Sequence, residues 1–113
     1  MRWLLSLALV SLAPACGGMD ACPNDVPDTC PATVPSYTND VAPVIMERCL
    51  LCHAPGGQAG DKPLDTYAHL FSRRSAVLNQ LAACNMPPAG EPQPTEDERL
   101  IILDWLVCGA PDN

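Results

Sequence analysis

The chain has 113 residues, thirteen prolines, seven cysteines, 48% hydrophobic residues and a formal net charge of -7 at pH 7. That length holds one domain at most. Six basic residues against thirteen acidic ones cannot build a phosphate-binding face, which excludes nucleic acid as a partner.

Arg2, the apolar run from Trp3 to Leu12 and the small residues Ala13-Pro14-Ala15 read as a secretory signal peptide over residues 1–15. The run falls short of the roughly 20 apolar residues that span a bilayer, so no transmembrane helix is expected. Cleavage before Cys16 would leave an N-terminal cysteine. This resembles a bacterial lipoprotein, and the resemblance implies a lipid on Cys16 that anchors the protein to a membrane. Gly17 and Gly18 in place of aspartate imply the outer membrane, hence a periplasmic location; ordinary cleavage after Ala15 is the alternative. Residues 16–37, with Pro23, Pro27, Pro31 and Pro35 and no apolar period, read as a Pro/Cys-rich tether.

Residues 38–113 form the expected folded domain. A helix is expected from Thr38 or Asn39, with Asp40 in its first turn and Pro43 early enough to be tolerated. Val41, Val44, Ile45, Arg48 and Cys49 recur at helical spacing. Ala54-Pro55-Gly56-Gly57 and Gly60-Asp61-Lys62-Pro63 then predict a loop. Asp65 is the expected cap of a second helix carrying Tyr67, Leu70 and Phe71, and Ser75 of a third carrying Val77, Leu78 and Leu81; the two can form one bent element. A last helix is signalled by the Thr95/Glu98 capping box, the acids Glu96 and Asp97, and an apolar run from Leu100 to Val107 that ends at Gly109 and Pro111. No segment alternates as a strand does, so the fold class is all-α.

Cys49-Leu50-Leu51-Cys52-His53 carries the chemistry. In C-x-x-C-H two thiols can add to haem vinyl groups as thioethers, and the adjoining histidine reaches the iron as proximal ligand. Downstream, Cys84-Asn85-Met86-Pro87-Pro88 offers Met86 as the distal ligand, a soft neutral thioether that favours ferrous iron. If Cys16 is acylated and Cys49 and Cys52 carry haem, Cys22, Cys30, Cys84 and Cys108 remain as an even set in a disulfide-permitting compartment. Three pairings are open, the most local being Cys22 with Cys30 and Cys84 with Cys108.

With this motif at the end of an N-terminal helix, a Met-Pro pair in a late loop and a C-terminal helix, residues 38–111 resemble the small monohaem c-type cytochromes. The resemblance implies N- and C-terminal helices packed around one covalent haem c, Cys49 and Cys52 as its attachment points, and His53 and Met86 as metal ligands. It implies an electron carrier rather than an enzyme, alone or as a subunit of a larger redox complex. The acidic surface would meet redox partner proteins with basic docking faces.

Other assignments compete at single positions. Met46 reads as core packing and His69 as a rival distal ligand. Tyr67 and Trp105 are expected around the porphyrin or between helices, their polar hydrogens in reach of a propionate. The Pro63 carbonyl is the expected partner of the His53 ring. Two alternative functions stand beside electron transfer: a haem-based sensor or peroxidase-like module with a labile distal ligand, and a haem-free lipoprotein stapled by disulfides or by zinc on Cys49, Cys52 and His53.

Overall fold

Ser36 opens the helical part of the chain: its hydroxyl accepts the Asn39 amide at 3.1 Å, and its own amide donates to the Asp40 carboxylate at 2.7 Å. In this computed structural model, which describes residues 21–113, a π-type turn (Tyr37–Val41) runs into α1 (Ala42–Arg48) and then α2 (Leu50–His53). The Val41 and Ala42 amides reach back five residues, to the Ser36 and Tyr37 carbonyls. Pro43 has no amide to give, and ordinary α winding is established only around it. The helical start therefore lies at Ser36, ahead of the expected Thr38 or Asn39. The expected signal peptide and Cys16, the expected site of a lipid, fall outside the described residues.

α3 (Tyr67–Ser72) and α4 (Arg74–Ala82) are parted only by Arg73, as a bent element. Their caps differ from expectation. Thr66, not Asp65, receives the His69 amide at 3.1 Å, while Asp65 takes the His69 ring at 2.6 Å. Ser75 caps nothing, because α4 starts one residue before it, with no side-chain cap. α5 (Glu96–Val107) carries the full Thr95/Glu98 capping box and is followed by Gly109 at φ 87°.

α4 packs on α5, and α5 on the π-type turn. The core between them is closed by Val41, Leu70, Leu103 and Trp105, all fully buried. Tyr67 links the aromatic side chains, lying 5.1 Å from Tyr37 and 5.5 Å from Phe71. Its hydroxyl donates to the Ala110 carbonyl, and the Trp105 indole N–H donates to that of Pro111, each at 2.9 Å. Both side chains thus pack between the helices, one of the two placements expected, and both polar hydrogens are spent on the chain after α5 rather than left for a propionate. Met46 is 68% exposed, so it is not the core residue expected. Among the described residues there is no strand, the helices make the domain all-α, and no helix is long and apolar enough to cross a membrane.

Residues 21–36 are irregular but strapped to the helices. Cys22 is bonded to Cys84 and Cys30 to Cys108, so the expected local pairs, including a Cys84–Cys108 staple, are replaced by two long-range ones. Between them Asp25 accepts two hydrogen bonds from Arg99, at 2.7 and 2.9 Å, and a third guanidinium hydrogen goes to the Leu81 carbonyl at 2.6 Å. Arg99 is only 8% exposed, a charge buried on the inner face of α5 whose counter-ion comes from the strap. Val26 packs against the core nearby.

Candidate functional site

α2 is a single turn, and it sets Cys49, Cys52 and His53 three and four residues apart, the spacing that puts side chains on one helical face. The Cys49 amide still bonds the Ile45 carbonyl and the His53 amide the Cys49 carbonyl, both at 2.9 Å, so α1 delivers this turn with little break. After His53 the chain folds tightly back: the Ala59 amide reaches the Cys52 carbonyl at 2.8 Å and the Leu64 amide the His53 carbonyl at 3.0 Å. The return requires glycine at 57, where an added Cβ would sit 2.6 Å from the Cys52 carbonyl oxygen.

That loop fixes the imidazole. His53 Nδ1 lies 2.8 Å from the Lys62 carbonyl, one residue before the expected Pro63. A carbonyl only accepts, so Nδ1 carries a proton, and in the neutral ring it is Nε2 that is left to ligate a metal.

Cys49, Cys52 and His53 line a cleft of about 680 Å³, and Met86, Pro87 and Pro88 line it too. The volume is that of an ordinary small-molecule or cofactor site. Ile45, Leu51, Leu64, Val77, Leu81 and Ile102 make much of its wall apolar. Leu51 is 74% exposed and Met86 42%, large apolar surface turned outward at this site. The Met86 loop is held by its backbone: the Asn85 and Met86 amides donate to the Gln80 carbonyl at 3.0 and 3.3 Å, and the Gln93 amide group donates to the Pro87 and Pro88 carbonyls. His69, paired with Asp65, does not line the cleft, and neither do Met46, Tyr67 or Trp105.

Among the described residues Cys49 and Cys52 are the cysteines outside disulfides. Burial pushes the Cys49 thiol up to about 11, so its surroundings favour an uncharged sulfur. Zinc needs thiolates and commonly three or four protein ligands. Among the described residues no three or more His, Cys, Asp or Glu side chains converge to hold a metal ion.

Sequence reasoning missed the Arg48–Glu98 pair, with bonds of 2.9 and 3.2 Å that tie the end of α1 to the start of α5 beside the cleft. The Arg48 hydrogen bonds, with help from the Thr95 amide, hold the Glu98 carboxyl below its ordinary range. The only sequence signal for Glu98 was its place in the capping box.

No family model matches the chain, and neither does any curated protein or solved structure. The resemblance to the small monohaem c-type cytochromes is therefore not upheld. Four of the six described cysteines are in disulfides, paired at long range rather than locally, no protein metal cage forms among the described residues, and no related chain ties the C-x-x-C-H spacing to that family. The plain finding is a helical domain stapled by two disulfides, with a largely apolar cleft that gathers two unpaired thiols, a poised imidazole and a thioether.

Proposed function

We propose that this disulfide-stapled domain carries a covalently attached haem in the cleft and uses it to pass single electrons, with Met86 as an exchangeable sixth ligand. The observation behind this reading is the meeting of Cys49, Cys52, His53 and Met86 on one cleft, with the His53 ring held through Nδ1 by the Lys62 carbonyl. A porphyrin supplies four iron ligands itself and asks the protein for one or two, which is what the cleft offers. A thioether is neutral, in keeping with the surroundings of Cys49.

When bound, such a group supplies a reversible one-electron couple whose potential depends on its axial ligands and its exposure to water. The chain's own parts do the rest. His53 is oriented by the Lys62 carbonyl, the apolar wall lowers the local dielectric, and the Gln80 and Gln93 bonds set the Met86 loop. The exposure of Met86 and its place in a loop favour the labile-ligand form of this reading, in which Met86 would hold such a group weakly. Export is supported by the two disulfides, which persist in oxidising compartments; a lipid on Cys16 and basic redox partners belong to the same proposal.

A haem-free role is the second reading, favoured by one observation: the helices, strap and disulfides close a core without any cofactor. In that case the cleft would serve an apolar ligand or partner. Haem staining of the purified native chain on a denaturing gel separates the two. A stain lost in Cys49→Ala/Cys52→Ala supports attachment, and an unstained native chain with both thiols open to alkylation overturns it.

A further inference from the structure

Five basic side chains fall among the described residues, and three of them have a carboxylate or aromatic partner. Arg48 is taken by Glu98 and Arg99 by Asp25, while Arg74 lies 4.0 Å over the Phe71 ring and donates to the Phe71 carbonyl. Lys62 and Arg73 have neither a carboxylate nor an aromatic partner among the described residues, and both line the cleft.

They also come together. Arg73 Nη2 donates to the Asp61 carbonyl at 3.1 Å, which brings the guanidinium beside residue 62, and the Lys62 carbonyl holds the His53 ring. Glu47 and Glu91 line the cleft and Glu98 and the exposed Asp61 lie beside it; none makes an ion pair with Lys62 or Arg73, Glu98 pairs with Arg48, and Glu47 sits 3.6 Å from Arg48. In a chain of net charge -7, the uncommitted positive charge is thus concentrated at the imidazole side of the cleft.

We infer that Lys62 and Arg73 form a carboxylate clamp for the ligand of the cleft. This rests on the haem reading above, where the carboxylates are the two propionates. A guanidinium offers paired donors in a fixed fork and an ammonium a mobile point charge, so Arg73 sets the orientation of one carboxylate and Lys62 neutralises the other. Each positive charge also disfavours the oxidised, more positive iron more than the reduced one, which would raise the potential.

The test uses the native holoprotein, Lys62→Gln/Arg73→Gln, the charge-keeping Lys62→Arg/Arg73→Lys, and Arg74→Gln as a control cation outside the clamp. Two readouts are taken, the propionate bending band in resonance Raman spectra and the midpoint potential. Loss of the clamp is expected to shift the propionate band and to move the one-electron equilibrium three- to tenfold toward the oxidised form, where tenfold is about 59 mV. The charge-keeping variant should recover most of the potential. If the double glutamine variant is pigmented but matches Arg74→Gln in both readouts, the clamp is wrong and the haem reading survives. If the native chain carries no pigment, the haem reading fails and takes the clamp with it. Should the double variant not accumulate, Lys62→Gln and Arg73→Gln made singly must each give part of the shift, and two silent single variants overturn the clamp.

Discussion

Replacing Asp25 by alanine strands the Arg99 guanidinium inside the domain with one remaining acceptor, the Leu81 carbonyl. Removing one partner of a buried ion pair costs about 3–5 kcal/mol. The Asp25 side chain keeps 18% of its exposure, so the lower end applies, about 3 kcal/mol. For a domain of this size each kcal/mol is worth about 4–8 °C, giving a fall in Tm of about 12–24 °C by far-UV circular dichroism. The pH dependence has a definite sign. Hydrogen bonds from Arg99 hold the Asp25 carboxyl below its ordinary 3.8, so its contribution is complete above that value and is lost as pH falls through the depressed one. The native protein should therefore lose stability steeply below about pH 4, and Asp25→Ala less steeply. Removing both charges, as in Asp25→Ala/Arg99→Met, should recover at least half of the loss. A single-variant fall of less than about 4 °C, or no recovery in the double variant, would refute the view that the strap neutralises a buried charge.

Trp105→Ala opens a cavity in the core and leaves the Pro111 carbonyl without its donor; a loss of about 3–5 kcal/mol is expected in urea titrations. Gly57→Ala drives a methyl group into the Cys52 carbonyl, and it should cost about 1–3 kcal/mol and reduce haem staining together with it. Cys84→Ser opens a crosslink spanning 62 residues, worth about 4 kcal/mol in the chain-entropy account, and calorimetry of the paired Cys22→Ser/Cys84→Ser variant checks it. In chain made without haem attachment, Cys49 should resist iodoacetamide at neutral pH and become reactive only as pH climbs toward about 11. Equal alkylation rates for Cys49 and a model thiol at pH 8 would contradict its burial.

Local chemistry was legible in the sequence wherever neighbours in the chain determine it. The Thr95/Glu98 box, the stop at Gly109 and the helical delivery of Cys49 all rest on interactions within a few residues. Lys62 was missed by one position, because Pro63 and Lys62 both offer carbonyls and only the path of the loop chooses between them. Cysteine pairing was out of reach for a different reason: three connectivities satisfy the same count, and the observed one depends on how the strap crosses α4 and α5. Arg99 did leave a trace, since it lies on the same face as Ile102, Leu103 and Leu106, and a charge inside an apolar stripe calls for a distant counter-ion. Nothing in the sequence pointed to Asp25 as that counter-ion. The four site residues were chosen from spacing and composition, and the cleft brings all four together; the cofactor itself remains the proposal.

The two crosslinks interleave, 22 to 84 and 30 to 108, so neither encloses the other. A single peptide cut anywhere between those outer cysteines leaves one covalent piece, heavier only by the added water. Hydrolysis of the loop after His53 or of the strap near Thr29 would therefore release no fragment. This connectivity gives a tolerance to nicking between residues 30 and 84 that two purely local bridges, 22 to 30 and 84 to 108, would not provide.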